Sequence, residues 1–77
     1  MTGSSDRALG EVLRACRKER GESQEEVGYR AGLTAGTVSR LELGEGCPEW
    51  ATVRAIARAL DLKLGDLGDQ IEAIERD

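Results

Sequence analysis

Seventy-seven residues carrying 15 acidic and 11 basic side chains, with no His and no Phe, make one small domain of net charge −4. A chain this short buries only about 60% of the surface its unfolded form exposes, so its aliphatic core is marginal and gains from a partner. No apolar run approaches the ~20 residues of a membrane helix, and MTGSSDRALG lacks the basic-then-apolar order of a signal peptide, which points to a cytoplasmic protein.

Residues 1–5 are small and polar and are expected to form a disordered tail ahead of a domain over 6–77. Leu9, Val12, Leu13 and Cys16 then fall at i, i+3, i+4 and i+7, the apolar stripe of an amphipathic helix that ends in RKERG with Gly21 as its cap. Cys16 belongs to that stripe and reads as a small core residue. A second helix opens on a capping box, in which the Ser23 hydroxyl takes the amide of Glu26 and the Glu26 carboxylate reaches back to the amide of Ser23. Its apolar face is Val27 and Ala31, with Gly28 and the Tyr29 ring beside them, and Gly32 ends it. Thr34 caps a third helix, 35–41, which buries Val38 and Leu41 and runs out into the loop LGEGCPE. After Pro48, Trp50, Val53, Ile56, Ala57 and Leu60 recur at helical spacing, with Arg54 and Arg58 on the opposite side. DLKLGD makes a turn, and a last helix, 66–76, carries Leu67, Ile71 and Ile74. The expected fold is all-α, five short helices with brief connections.

The same inventory weighs against an enzyme. The side chain that titrates nearest neutral pH is missing, and no Gly-rich phosphate loop or nucleophile elbow is present. Glu25 with Glu26, and Glu45 with Glu49, read as caps and solvated loops rather than as a catalytic dyad. Cys16 and Cys47 stand 31 positions apart with no CxxC, so neither a metal site nor a redox pair is expected. No cofactor, metal or small-molecule ligand is implied.

The second and third helices form a helix-turn-helix whose internal spacing is specific. Counting from Gln24, the motif takes a small residue fifth, where a neighbouring element crosses closely, and Gly28 is there. It takes a residue tolerant of positive φ ninth, and Gly32 is there. Apolar residues belong at the fourth, eighth, tenth, fifteenth and eighteenth positions, and Val27, Ala31, Leu33, Val38 and Leu41 fill them. With the flanking segments LRACRKERGESQEEV, AGLTAGTVSRLELG and TVRAIARALDLKLGDL, the chain from Leu9 to Leu67 resembles the phage-repressor family (Cro/C1-type, or XRE).

That resemblance implies a lambda-repressor-like five-helix DNA-binding domain. Its third helix would enter the major groove, and it would bind a palindromic operator as a two-fold homodimer. It implies base contacts from Ala35, Gly36, Ser39 and Arg40. Arg40 is the strongest reader, since a guanidinium can donate two bonds to O6 and N7 of guanine. It implies phosphate contact from Gln24 at the head of the second helix, with Ser23, Thr34 and Thr37, and from Arg17 as a secondary role. It also implies an interior ion pair between Arg17 and Glu42 that ties the reading helix to the scaffold.

Charge is distributed unevenly. From Arg7 to Arg40 seven basic residues meet five acids; from Leu41 to Asp77 four basic residues meet nine acids. The half expected on DNA is thus mildly basic, although LGEGCPEW brings Leu43, Glu45 and Glu49 to a loop that in the resembling family often carries basic or amide side chains. Leu67, Ile71 and Ile74 either close the domain's own core or, with Trp50, form a dimer seam; the seam would place two reading helices about 34 Å apart. Cys47 reads as a bystander in its loop. The sequence thus describes a transcription regulator, most simply a repressor. The rival reading is a protein-interaction module, an antitoxin or adaptor, that keeps the helix-turn-helix as scaffold and binds a basic partner with its acidic half.

Overall fold

The computed structural model describes residues 4–76. Five helices follow one another: α1 (Ser4–Glu19), α2 (Gln24–Ala31), α3 (Ala35–Leu43), α4 (Trp50–Ala59) and α5 (Leu64–Arg76). Helix α1 opens at Ser4, so Ser4 and Ser5 are helical rather than part of a tail, and residues 1–3 lie outside the described residues. Helix α3 runs two residues beyond Leu41, and α5 begins at Leu64 rather than at 66. Both extensions follow from good helix formers next to Gly44 and Gly65, where composition alone suggested a loop.

The apolar stripes close on one centre. Leu13, Val27, Val38 and Ile56 are fully buried, one from each of the first four helices. Burying such a side chain contributes about 1.5–3 kcal/mol. Leu9, Val12, Leu41, Val53, Ala57, Leu60 and Leu67 complete the cluster, with Cys16, Leu33, Ile71 and Ile74 packed against it. Leu67 is therefore a core residue, only 4% exposed, and Ile71 and Ile74 lean on the same core. The α5 stripe closes its own domain against α1, which removes Leu67 from any intermolecular seam. Tyr29 is 87% exposed and lies outside the apolar face of α2, since it follows Gly28 at a point where the helix has already turned toward solvent.

Turn chemistry explains the tight spacing of α2 and α3. The capping box is complete: the Glu26 N–H donates to Ser23 Oγ at 3.0 Å and the Ser23 N–H to Glu26 Oε1 at 2.8 Å. Gly32 stops α2 in the left-handed region at φ 74°, and the Leu33 N–H returns to the Gly28 carbonyl at 2.8 Å. A Cβ on Gly28 would stand 2.8 Å from the Leu33 oxygen, so the small residue is required by the turn itself rather than by α3.

Helix α1 makes a second close approach. A Cβ on Gly10 would fall 2.5 Å from the Leu41 carbonyl oxygen and 2.8 Å from the Glu42 carbonyl carbon. The backbone of α1 therefore rests directly on the C-terminal half of α3.

Candidate nucleic-acid interface

Helix α3 is held at both ends and along one side. Thr34 caps it, its Oγ1 accepting the Thr37 N–H at 3.1 Å, and Gly44 ends it in the left-handed region. Val38 and Leu41 anchor it in the core. Glu42 fixes its rotation. The Arg17 Nε donates to Glu42 Oε2 at 2.7 Å, the second guanidinium nitrogen Nη2 to Oε1 at 3.0 Å, and the Gln24 amide to Oε1 at 3.0 Å. The third Arg17 nitrogen donates to the Glu22 carbonyl at 2.8 Å. With side chains only 11% and 3% exposed, Arg17 and Glu42 are an interior pair. The bond to Glu42 raises the Arg17 pKa, outweighing the lowering by burial. One carboxylate thus joins α1, α2 and α3.

This network corrects two expected phosphate contacts. Every guanidinium nitrogen of Arg17 has an internal acceptor, so its role is structural. The Gln24 amide is engaged by Glu42, which leaves Gln24 a member of the clamp before it is anything else. Ser23 and Thr34 are exposed caps whose oxygens accept backbone N–H groups, so each hydroxyl can still turn its proton outward. The Thr34 and Thr37 hydroxyls lie 3.0 Å apart, and one proton bridges them while the other stays available.

The opposite side of α3 faces solvent. Gly36 and Arg40 are exposed and Ala35, Thr37 and Ser39 half-buried, so the four expected base-reading residues share an open edge. Among the described residues Arg40 has no acid within ion-pair distance. It overlooks a shallow hollow whose far wall holds Glu45 and Thr52. Leu43, 66% exposed, extends this edge by another turn. Sequence reading had placed it in the following loop, and only the extra length of α3 brings it alongside Ser39.

Cations sort into two groups. Arg20 and Arg30 converge on Glu22, at 3.0 Å and 2.6 Å, and reach across to the Leu60 and Ala59 carbonyls at the end of α4. The hydrogen bonds from Arg30 and then Arg20 hold the Glu22 carboxyl down at about 2. Arg7 sits loosely beside Glu11, 3.7 Å away on the surface. Arg14 and Lys18 point outward one turn apart on α1 and were not singled out from the sequence, where they are two basic residues among seven. They line a cleft of about 550 Å³ whose other walls are Ser23, Gln24, Ser39 and Leu43.

Neither cysteine takes part. Both are unbonded, and burial, with the Glu19 charge second, pushes the Cys16 thiol up, away from the reactive thiolate. No helix among the described residues is long and apolar enough to cross a membrane.

Comparison with known proteins agrees with this architecture. A family model described as a helix-turn-helix domain matches residues 8–70. The HTH-type transcriptional repressor RghR of Bacillus subtilis (strain 168) is 38% identical over 56 residues, 71% of this chain and 42% of the relative. The chain therefore spans well under half the length of that relative. The crystal structure of the clp gene regulator ClgR from C. glutamicum superposes with a TM-score of 0.83 over 90% of both chains at 23% identity, a likeness of fold.

Proposed function

The chain belongs to the helix-turn-helix domain family, and on that footing we infer that it is a DNA-binding transcriptional regulator. The observation that carries the reading is α3 itself. One side is welded to the core through Val38, Leu41 and Glu42, and the other presents Gly36, Ser39 and Arg40 to solvent. A rigid helix with an outward guanidinium is what bidentate recognition of guanine requires. Ala35 offers a methyl to a thymine, Ser39 serves several bases, and Gly36 lets the backbone come near.

Binding as a homodimer to a palindromic operator, with repression by occlusion of a promoter, is the simplest mechanism for so small a reader. The surface that supports a second copy lies between α4 and α5, where Pro48, Trp50, Leu64 and Ile71 line an apolar groove of about 360 Å³. Trp50 is 60% and Leu64 42% exposed there, so they replace Leu67 and Ile74 as seam residues. Arg54 and Lys63 stand near one end of the groove and Glu72, a turn beyond Gly68, stands toward the other. Two copies related by a two-fold axis would bring these opposite charges together.

Selection of duplexes from a randomised pool by the intact protein tests the reading. An enriched motif, repeated in inverted orientation about one helical turn apart, is expected. A pool that stays random at low salt would leave the chain as a protein-interaction module instead. Sedimentation of the free protein and of Trp50→Asp tests the dimer.

A further inference from the structure

We propose that the cleft between α1 and α3 seats the sugar-phosphate backbone of bound DNA, gripped by Arg14 and Lys18. This rests on the reading of α3 as a DNA reader and assigns the phosphate grip to residues that the helix-turn-helix spacing does not include.

The cleft is charged at its mouth and neutral at its floor. Glu42 lies at the bottom, but Arg17 and Gln24 occupy both of its oxygens, so the floor contributes no net field. Arg14 and Lys18 line the wall on α1, both exposed and, among the described residues, without an acid in ion-pair distance. Like charges four residues apart on a helix repel and weaken it slightly. An anion lying between them removes that repulsion.

The remaining walls specify what kind of anion. Ser23 and Ser39 face the cleft from α2 and α3 and supply neutral hydroxyls of the sort that commonly bond phosphate oxygens. Leu43 closes the rim with an apolar side chain 66% exposed, a match for the hydrocarbon face of a deoxyribose and of no use to a free inorganic ion. Ser39 belongs both to this cleft and to the base-reading edge of α3. A backbone strand lying here would run alongside the bases that Arg40 meets, as one border of the major groove must.

The test is a salt titration of binding to the duplex selected by the unaltered protein, compared with a scrambled duplex. Arg14→Ala and Lys18→Ala should each make the slope of log affinity against log salt shallower by about 0.9. The double variant should bind both duplexes about ten- to a hundredfold more weakly at low salt, with the selected-to-scrambled ratio unchanged. Arg58→Ala, on the far side of α4, should keep the original slope, and circular dichroism should show every variant folded. An unchanged slope in the double variant, beside a selected site that the unaltered protein still binds, overturns the cleft and leaves the DNA reading standing. A collapse of the selected-to-scrambled ratio overturns it too, because the pair would then read bases. If the unaltered protein retains no duplex at any salt, both proposals fall.

Discussion

Two carboxylates, Glu42 and Glu22, each gather guanidinium groups from elsewhere in the chain, yet they hold the molecule in different ways. Glu42 lies inside the α1–α3 seam with its partner Arg17 almost sealed from water. Glu22 sits on the α1–α2 turn, 20% exposed, with Arg20 and Arg30 more than a third exposed. Water can replace a lost partner at the second site but not at the first. The buried clamp therefore sets the attitude of the reading helix, whereas the surface cluster trims the fit of α2 against α4. Counting ion pairs would have ranked them the other way, since Glu22 has two arginines and Glu42 one.

The largest expected effect follows from that difference. Glu42→Ala strands the Arg17 guanidinium and should cost about 3–5 kcal/mol in denaturant unfolding, much of the stability of a domain this size. Arg17→Met with Glu42→Leu should lose less than either single change, because no charge is left unpaired. Equal losses from Glu42→Ala and Glu22→Ala would break the comparison. Next comes Gly10→Ala in the same seam. Helix propensity alone favours Ala by about 1 kcal/mol. The added Cβ meets the α3 backbone at Leu41 and Glu42, however, so a net loss of about 1–3 kcal/mol is expected by thermal or chemical melting.

At the surface cluster the readout is pH. The Glu22 carboxyl titrates at about 2 in the fold against an ordinary 4.5. Its contribution is complete above pH 4.5 and is lost as pH falls toward 2. Glu22→Gln should flatten the acid limb of a melting-temperature profile in that window and leave the pH 7 slope alone. The smallest change lies at Asp61, the non-glycine residue at φ 59° that closes α4 as Gly32 closes α2. Asp61→Gly should stabilise by up to about 1 kcal/mol in the same melts, partly offset by the loss of its attraction for Arg30.

Much of this was legible in the sequence where the signal is local. The capping box at Ser23, the left-handed stop at Gly32, the apolar positions from Val27 to Leu41 and the Arg17–Glu42 pair all appear as read. What escaped depends on which helix meets which. Gly10 looks like a poor helix former until α1 is seen resting on the backbone of α3. Gln24 heads α2 as expected, but its amide turns inward because Glu42 has an oxygen within reach. Leu67 and Tyr29 differ in the opposite sense: an i, i+4 stripe cannot say whether its partner is the same chain or another, and neighbourhood on a helix does not make a ring buried. Arg14 and Lys18 were invisible as a pair because nothing in their spacing distinguishes a solvated face from the wall of a cleft.

The specificity ratio of Arg40→Ala, selected over scrambled duplex at one fixed salt concentration, bears most directly on whether the open edge of α3 meets bases. A guanine read by two hydrogen bonds is worth about 1–3 kcal/mol, so the ratio should fall by roughly tenfold to a hundredfold while the scrambled duplex is bound nearly as before. A ratio that survives the substitution intact would contradict the account.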